Sequence, residues 1–168
     1  MTTIKIKGLE PTLKNLRLLQ NGLDKELTNV LRGGGQLIRG EAIRSIQTGP
    51  KSGRTYEKYN PRRTHKASAP GQAPASDTGN LVSQIMSVAD GKNTLVESRA
   101  EYSKFLEFGT SKMLPRPFLF PASEKSTKKI VQVLIQKLNK VAEGLKKWVI
   151  IAYNFKKLYL MYWVVIVI

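Results

Sequence analysis

The sequence predicts an α+β domain: a small antiparallel sheet packed by a long N-terminal helix and a C-terminal helix. Three observations predict it. Between Glu10 and Gln47, Leu13, Leu16, Leu19, Leu23, Leu27, Val30, Leu31, Ile38, Ala42 and Ile46 recur mostly at steps of three and four, as on one helix face. Ile130, Val133, Leu134, Leu138, Val141 and Leu145 repeat that spacing after Pro121. The short runs Ile85–Ala89 and Thr94–Ser98 flank Asp90-Gly91-Lys92-Asn93, a hairpin signal.

Taken in order, Ile4 and Ile6 alternate with Lys5 and Lys7, so residues 2–7 read as a strand that joins the hairpin in the sheet. Gly8 ends it. The first helix carries Gly33, Gly34 and Gly35. Each glycine costs a helix about 1 kcal/mol against alanine. Either the helix breaks there or another backbone lies close against it; one long helix is the expectation. The triplet follows no strand, so it is not a phosphate-binding loop.

Residues 48–77 change character. Pro50, Pro61, Pro70 and Pro74 punctuate them, and few large apolar groups are present. The segment reads as a long loop or disordered arm projecting from the domain. Lys51, Arg54, Lys58, Arg62, Arg63 and Lys66 stand against a lone Glu57, with Tyr56 and Tyr59 among them. Aromatic and basic side chains together suit a polyanion such as DNA. The plainer reading is a polar loop ordered by a neighbouring subunit. Asp77 or Thr78 then caps a short helix running to Gln84.

Residues 100–121 are the most locally specified stretch. Tyr102, Phe105, Leu106 and Phe108 mostly share one side of a short helix over Glu101–Phe108. Gly109 stands where a helix end favours a left-handed residue. Pro115 and Pro117 hold the chain extended, Phe118, Leu119 and Phe120 supply apolar anchors, and Pro121 suits the start of the next helix. The stretch is an elbow on which other elements pack.

Lys plus Arg number 28 against 12 Asp plus Glu, a net charge of +16 that steers the chain toward polyanions. There is no cysteine, and His65 is the lone histidine, so neither a disulfide framework nor a His/Cys metal site is expected. No nucleophile elbow, Walker-type or dinucleotide-binding glycine pattern occurs. The chain reads as no enzyme and as needing no cofactor. The N-terminus lacks the apolar run of a signal peptide. Residues 148–168 hold both tryptophans, with apolar runs split by Lys156 and Lys157. They read as an atypical tail, strand-like at its close, such as a frameshift or lost stop codon would append. A membrane anchor is the second reading of that tail.

Two stretches together resemble a known family. The first is Ser68-Ala69-Pro70-Gly71-Gln72-Ala73-Pro74-Ala75-Ser76-Asp77-Thr78-Gly79-Asn80-Leu81. The second is Tyr102-Ser103-Lys104-Phe105-Leu106-Glu107-Phe108-Gly109-Thr110, continuing through Arg116-Pro117-Phe118-Leu119 to Pro121-Ala122. In this order they resemble the HK97-type tailed-phage neck proteins, also called head–tail connector or tail-completion proteins. The resemblance spans roughly residues 1–147, a single domain on this reading, and no part of the pattern matches 148–168. It implies a virion structural protein of the neck, present in the host cytoplasm before assembly. Such a protein forms a homo-oligomeric ring, docks onto head-closure and tail-terminator proteins, and surrounds the DNA exit path. Non-specific DNA contact is a further expectation, and membrane association is not. On this reading Gly79 and Gly109 set turns, Glu107 accepts hydrogen bonds that fix one, and Arg116 pairs with an acid across the junction or a subunit interface. The alternatives are a basic nucleic-acid-binding module and a small membrane-associated protein acting through its tail.

Overall fold

The computed structural model describes residues 9–165 apart from 92, with side chains described over 10–144 apart from 11 and 92. The elements in chain order are α1 (Leu9–Thr48), β1 (Thr55–Tyr59), β2 (Arg62–Lys66), α2 (Asn80–Ser83), β3 (Ile85–Asp90), β4 (Asn93–Ser98), α3 (Ser103–Phe108) and α4 (Leu119–Val165). The class is α+β, as the sequence predicts. The strand expected at 2–7 lies outside the described residues. The strands form two separate two-stranded antiparallel sheets, β1–β2 and β3–β4. One of these, β1–β2, falls in the segment expected to be loop.

Two compact units are present, Thr28–Gln132 and Met1–Leu27 with Val133–Ile168. The first holds the core. Ala42, Ile46, Leu81, Ile85, Ala100, Phe118 and Ala122 are buried together, with Ile38, Leu106 and Leu119 packed against them. Helix, hairpin and elbow each contribute, so the elbow is part of the core through Phe118, which is 1% exposed.

The glycine triplet does not break α1. Gly34 and Gly35 are buried within the helix. A Cβ on Gly35 would overlap Thr94 Cγ2 and Ser87 Oγ, and one on Gly34 would lie 3.1 Å from Ile130 Cδ1. The missing side chains let β3–β4 and α4 lie close against the helix. Arg39 reinforces this contact, its Nε donating to the Ile85 carbonyl at 2.8 Å. In the β3–β4 register Ile85 faces Ser98, Ser87 faces Val96 and Ala89 faces Thr94, which sets these residues on one side of the sheet. The other side leaves Met86, Val88 and Leu95 exposed. On the helix surfaces, Glu41 accepts from Arg44 at 2.9 Å and from Lys125, joining α1 to α4. Those two partners, Arg44 first, hold the Glu41 carboxyl below its ordinary pKa.

In the second unit, Lys137 Nζ lies 3.4 Å from Glu26 Oε2, and Leu13, Leu16, Leu18, Ile135 and Leu138 are exposed. Helix α4 continues to Val165. The close of the tail, expected to be strand-like, therefore extends the helix as far as it is described. A strand without a neighbour leaves its backbone unpaired, whereas a helix satisfies it internally.

Candidate functional site

The elbow is built around one carboxylate. Helix α3 ends at Gly109, whose φ of 78° lies in the region that favours glycine. A Cβ there would also lie 2.7 Å from the Met113 carbonyl. Thr110 N–H donates to the Met113 carbonyl at 2.8 Å, closing a tight loop. The chain returns so that Arg116 N–H donates to the Leu106 carbonyl at 2.7 Å. Glu107 then reaches across. Its Oε2 accepts from the Phe118 and Leu119 amides at 2.9 and 3.1 Å, and its Oε1 from the Phe120 amide at 2.8 Å. Three N–H groups at the start of α4, which have no acceptor within the helix, are satisfied by a single anion at its positive pole.

This fixes which side chains point where. Phe118 goes into the core and Pro117 is half-buried. Phe105 and Tyr102 are exposed by about two-fifths or more, Phe108 by 82%, Leu114 by 66% and Phe120 by 65%. The aromatic side of α3 therefore faces out. The reason is that α3 has only six residues and turns Leu106 toward the core. Between α3, β4 and the start of α4 runs a groove of about 840 Å³, walled in part by Ile38, Val96, Phe108, Leu119 and Phe120.

The arm is tied to this elbow. Gly71, at a positive φ of 78°, donates its N–H to the Pro115 carbonyl at 2.9 Å. Gln72 bridges the arm's base: its Oε1 accepts from the Ser52 and Ala69 amides, both at 3.0 Å. Pro74 is buried, and Pro70 is exposed. Lys51 donates to the carbonyls of Ser45 and Ala73 at 3.1 and 2.9 Å, and its burial lowers its pKa.

The rest of the arm is an ordered hairpin, not the expected loop. Tyr56 pairs with His65 and Lys58 with Arg63 on one face, while Thr55–Lys66, Glu57–Thr64 and Tyr59–Arg62 share the other. Every residue of the second face is exposed. The first face turns inward, where Asp77 accepts from Lys58, pairs with Arg63 at 2.8 Å and lies 3.7 Å from His65. The hydrogen bond from Lys58, then the charge of Arg63, hold the Asp77 carboxyl below its ordinary value. Asp77 is thus committed to the hairpin, and α2 is capped instead by Gly79 at φ 79°, with no side-chain cap. Thr78 is exposed and Leu81 is buried.

The six basic residues expected to meet a polyanion therefore divide. Lys51, Lys58 and Arg63 are spent on partners inside the chain. Arg54 lies over the Tyr56 ring, 5.6 Å from its centroid, and Arg62 and Lys66 stand on the outer face beside Glu57. Apolar periodicity does not reveal the hairpin, because neither of its faces is apolar and its period of two is carried by charge. The signal present in the sequence is Asn60-Pro61 between two five-residue runs, the first with Thr55, Tyr56 and Tyr59 and the second with Thr64. Asp77 as the hub of the inner face had no sequence signal at all.

Among the described residues no group of His, Asp or Glu side chains is placed to hold a metal ion, and no helix is long and apolar enough to cross a membrane. Compared with known protein families, residues 11–109 match the model described as "Bacteriophage HK97-gp10, putative tail-component". The match ends at Gly109, so Arg116-Pro117-Phe118 and α4 lie beyond it. No curated protein and no solved structure matches the chain.

Proposed function

The chain belongs to the HK97 gp10-like family of bacteriophage tail components, and we propose from that premise that it is a structural subunit of the head–tail junction that works as part of a ring. The observation that carries the finer reading is the elbow. It is held rigidly by Glu107 and Phe118 yet gives Phe108 and Phe120 to solvent along an open groove, with Leu114 exposed as well. Apolar side chains displayed together on a fixed frame suit docking, because their burial on contact drives association and the frame loses little freedom. The exposed Met86, Val88 and Leu95 of the outer sheet face add a second such surface. Two distinct patches on one subunit permit head-to-tail contacts, which close into a ring when the rotation allows. The partners on this reading are further copies of the chain, head-closure and tail-terminator proteins. No bond-breaking chemistry and no cofactor form part of it. DNA contact is a lesser component, left to Arg54, Arg62 and Lys66.

Phe108→Asp places a charge in the proposed contact while leaving the core untouched. The variant is expected to keep its circular dichroism and melting temperature but to be lost from purified particles, leaving heads and tails unjoined. Particles that join heads to tails at the normal yield with Phe108→Asp in place would overturn the reading.

A further inference from the structure

We propose that the cavity beneath the inner face of the β1–β2 hairpin is a binding site for a carboxylate, with Arg116 as its anchor. The cavity holds about 280 Å³ and is walled by His65, Ser76, Asp77, Asn80, Tyr102 and Arg116, among others. That volume takes a side-chain carboxylate with a few waters at roughly 30 Å³ each, and it sits at the lower edge of sites for whole small molecules.

The charge around it is unbalanced. Arg116 and Asp77 both line it, and Asp77 is already held by Lys58 and Arg63. Among the described residues Arg116 is left without a carboxylate partner of its own. The Nε of Arg116 is shut away from solvent with no acceptor. A cationic N–H in that condition is costly, and an incoming anion relieves the cost. The main chain at Arg116 is fixed, because its backbone N–H is tied to the Leu106 carbonyl. Across the cavity the Tyr102 hydroxyl accepts from Asn80 Nδ2 at 3.2 Å, which leaves its own proton available to donate.

The flat guanidinium fork matches the two oxygens of a carboxylate. Asp77 in the wall disfavours a dianion more than a monoanion, so a carboxylate fits better than a phosphate. The source is an acidic side chain on a protein that docks here. That source rests on the assembly reading above; the cavity's affinity for a carboxylate does not.

The test uses the full chain labelled with nitrogen-15, following the Nε–Hε resonance of Arg116 and the Nδ2 resonances of Asn80. Sodium acetate, inorganic phosphate and sodium chloride are titrated separately at matched ionic strength. A saturable shift with acetate and a merely linear drift with chloride are expected. Arg116→Lys keeps the charge but lacks the fork, and it should weaken the acetate response at Asn80 by about tenfold or more. Phosphate saturating at lower concentration than acetate would overturn the carboxylate assignment. Equal responses to acetate and chloride, or an unchanged acetate response in Arg116→Lys, would overturn the site. Neither result bears on ring formation, which the particle assay reads separately.

Discussion

The elbow and the β1–β2 hairpin are both short, both rich in aromatic and polar residues, and both organised by one carboxylate. They are held in different ways. Glu107 accepts from three backbone amides that lead directly into buried Phe118. Asp77 accepts from Lys58 and Arg63, whose side chains remain about two-fifths exposed. A carboxylate on backbone amides beside a core is part of the fold. A carboxylate clasping long, hydrated side chains fixes a position while adding little stability, since each cation gives up its freedom and its water to be held.

That contrast can be broken at several points. The largest effect is expected from Phe118→Ala, which should cost about 3–5 kcal/mol in denaturant unfolding, as buried aromatic truncations do. A loss below about 1 kcal/mol would mean the elbow is not seated in the core. Next comes Glu107→Ala, expected to cost about 2 kcal/mol through the lost cap and the amides it leaves unpaired. Glu107→Gln should fall between, since it keeps one accepting oxygen. Gly35→Val presses a side chain into Thr94 and Ser87 and should cost about 1–3 kcal/mol by overpacking.

The smallest effect sharpens the other side. Asp77→Asn should leave global stability nearly unchanged, yet hydrogen exchange at the β1 and β2 amides should speed up. Acid should do the same to the unmutated chain. Because the folded Asp77 pKa is depressed, the attachment is complete above the ordinary value of 3.8 and is lost as pH falls below it through the depressed one. Hairpin protection that survives in Asp77→Asn would show that something other than this clasp holds β1–β2.

The same contrast explains what the sequence reveals. The helices and β3–β4 announce themselves because burying one face imposes an apolar period, as in Ala42 and Ile46 or in Ile85. Gly109 and the Pro115–Pro117 stretch are legible because backbone geometry restricts which residues fit. Gly35 is half legible: a glycine in a helix says that something lies close, but not that it is Thr94. The hairpin is illegible by apolar period because its inner face is Lys58, Arg63 and His65 with Tyr56. Its partner Asp77 lies eleven or more residues away and looks like a helix cap. The outward turn of Phe105 and Phe108 is illegible for a related reason. An aromatic stripe on a six-residue helix reads as core unless one knows that Leu106 already occupies that direction.

The claim that most depends on this is that the outward side chains of the elbow meet another protein subunit. A photo-crosslinking residue in place of Phe108, activated in assembled particles and in the free chain, tests it most directly. The expected result is a crosslink to a neighbouring virion subunit in particles, and none in the free chain under dilute conditions. Particles that carry the residue and yield no inter-subunit crosslink on illumination would contradict it.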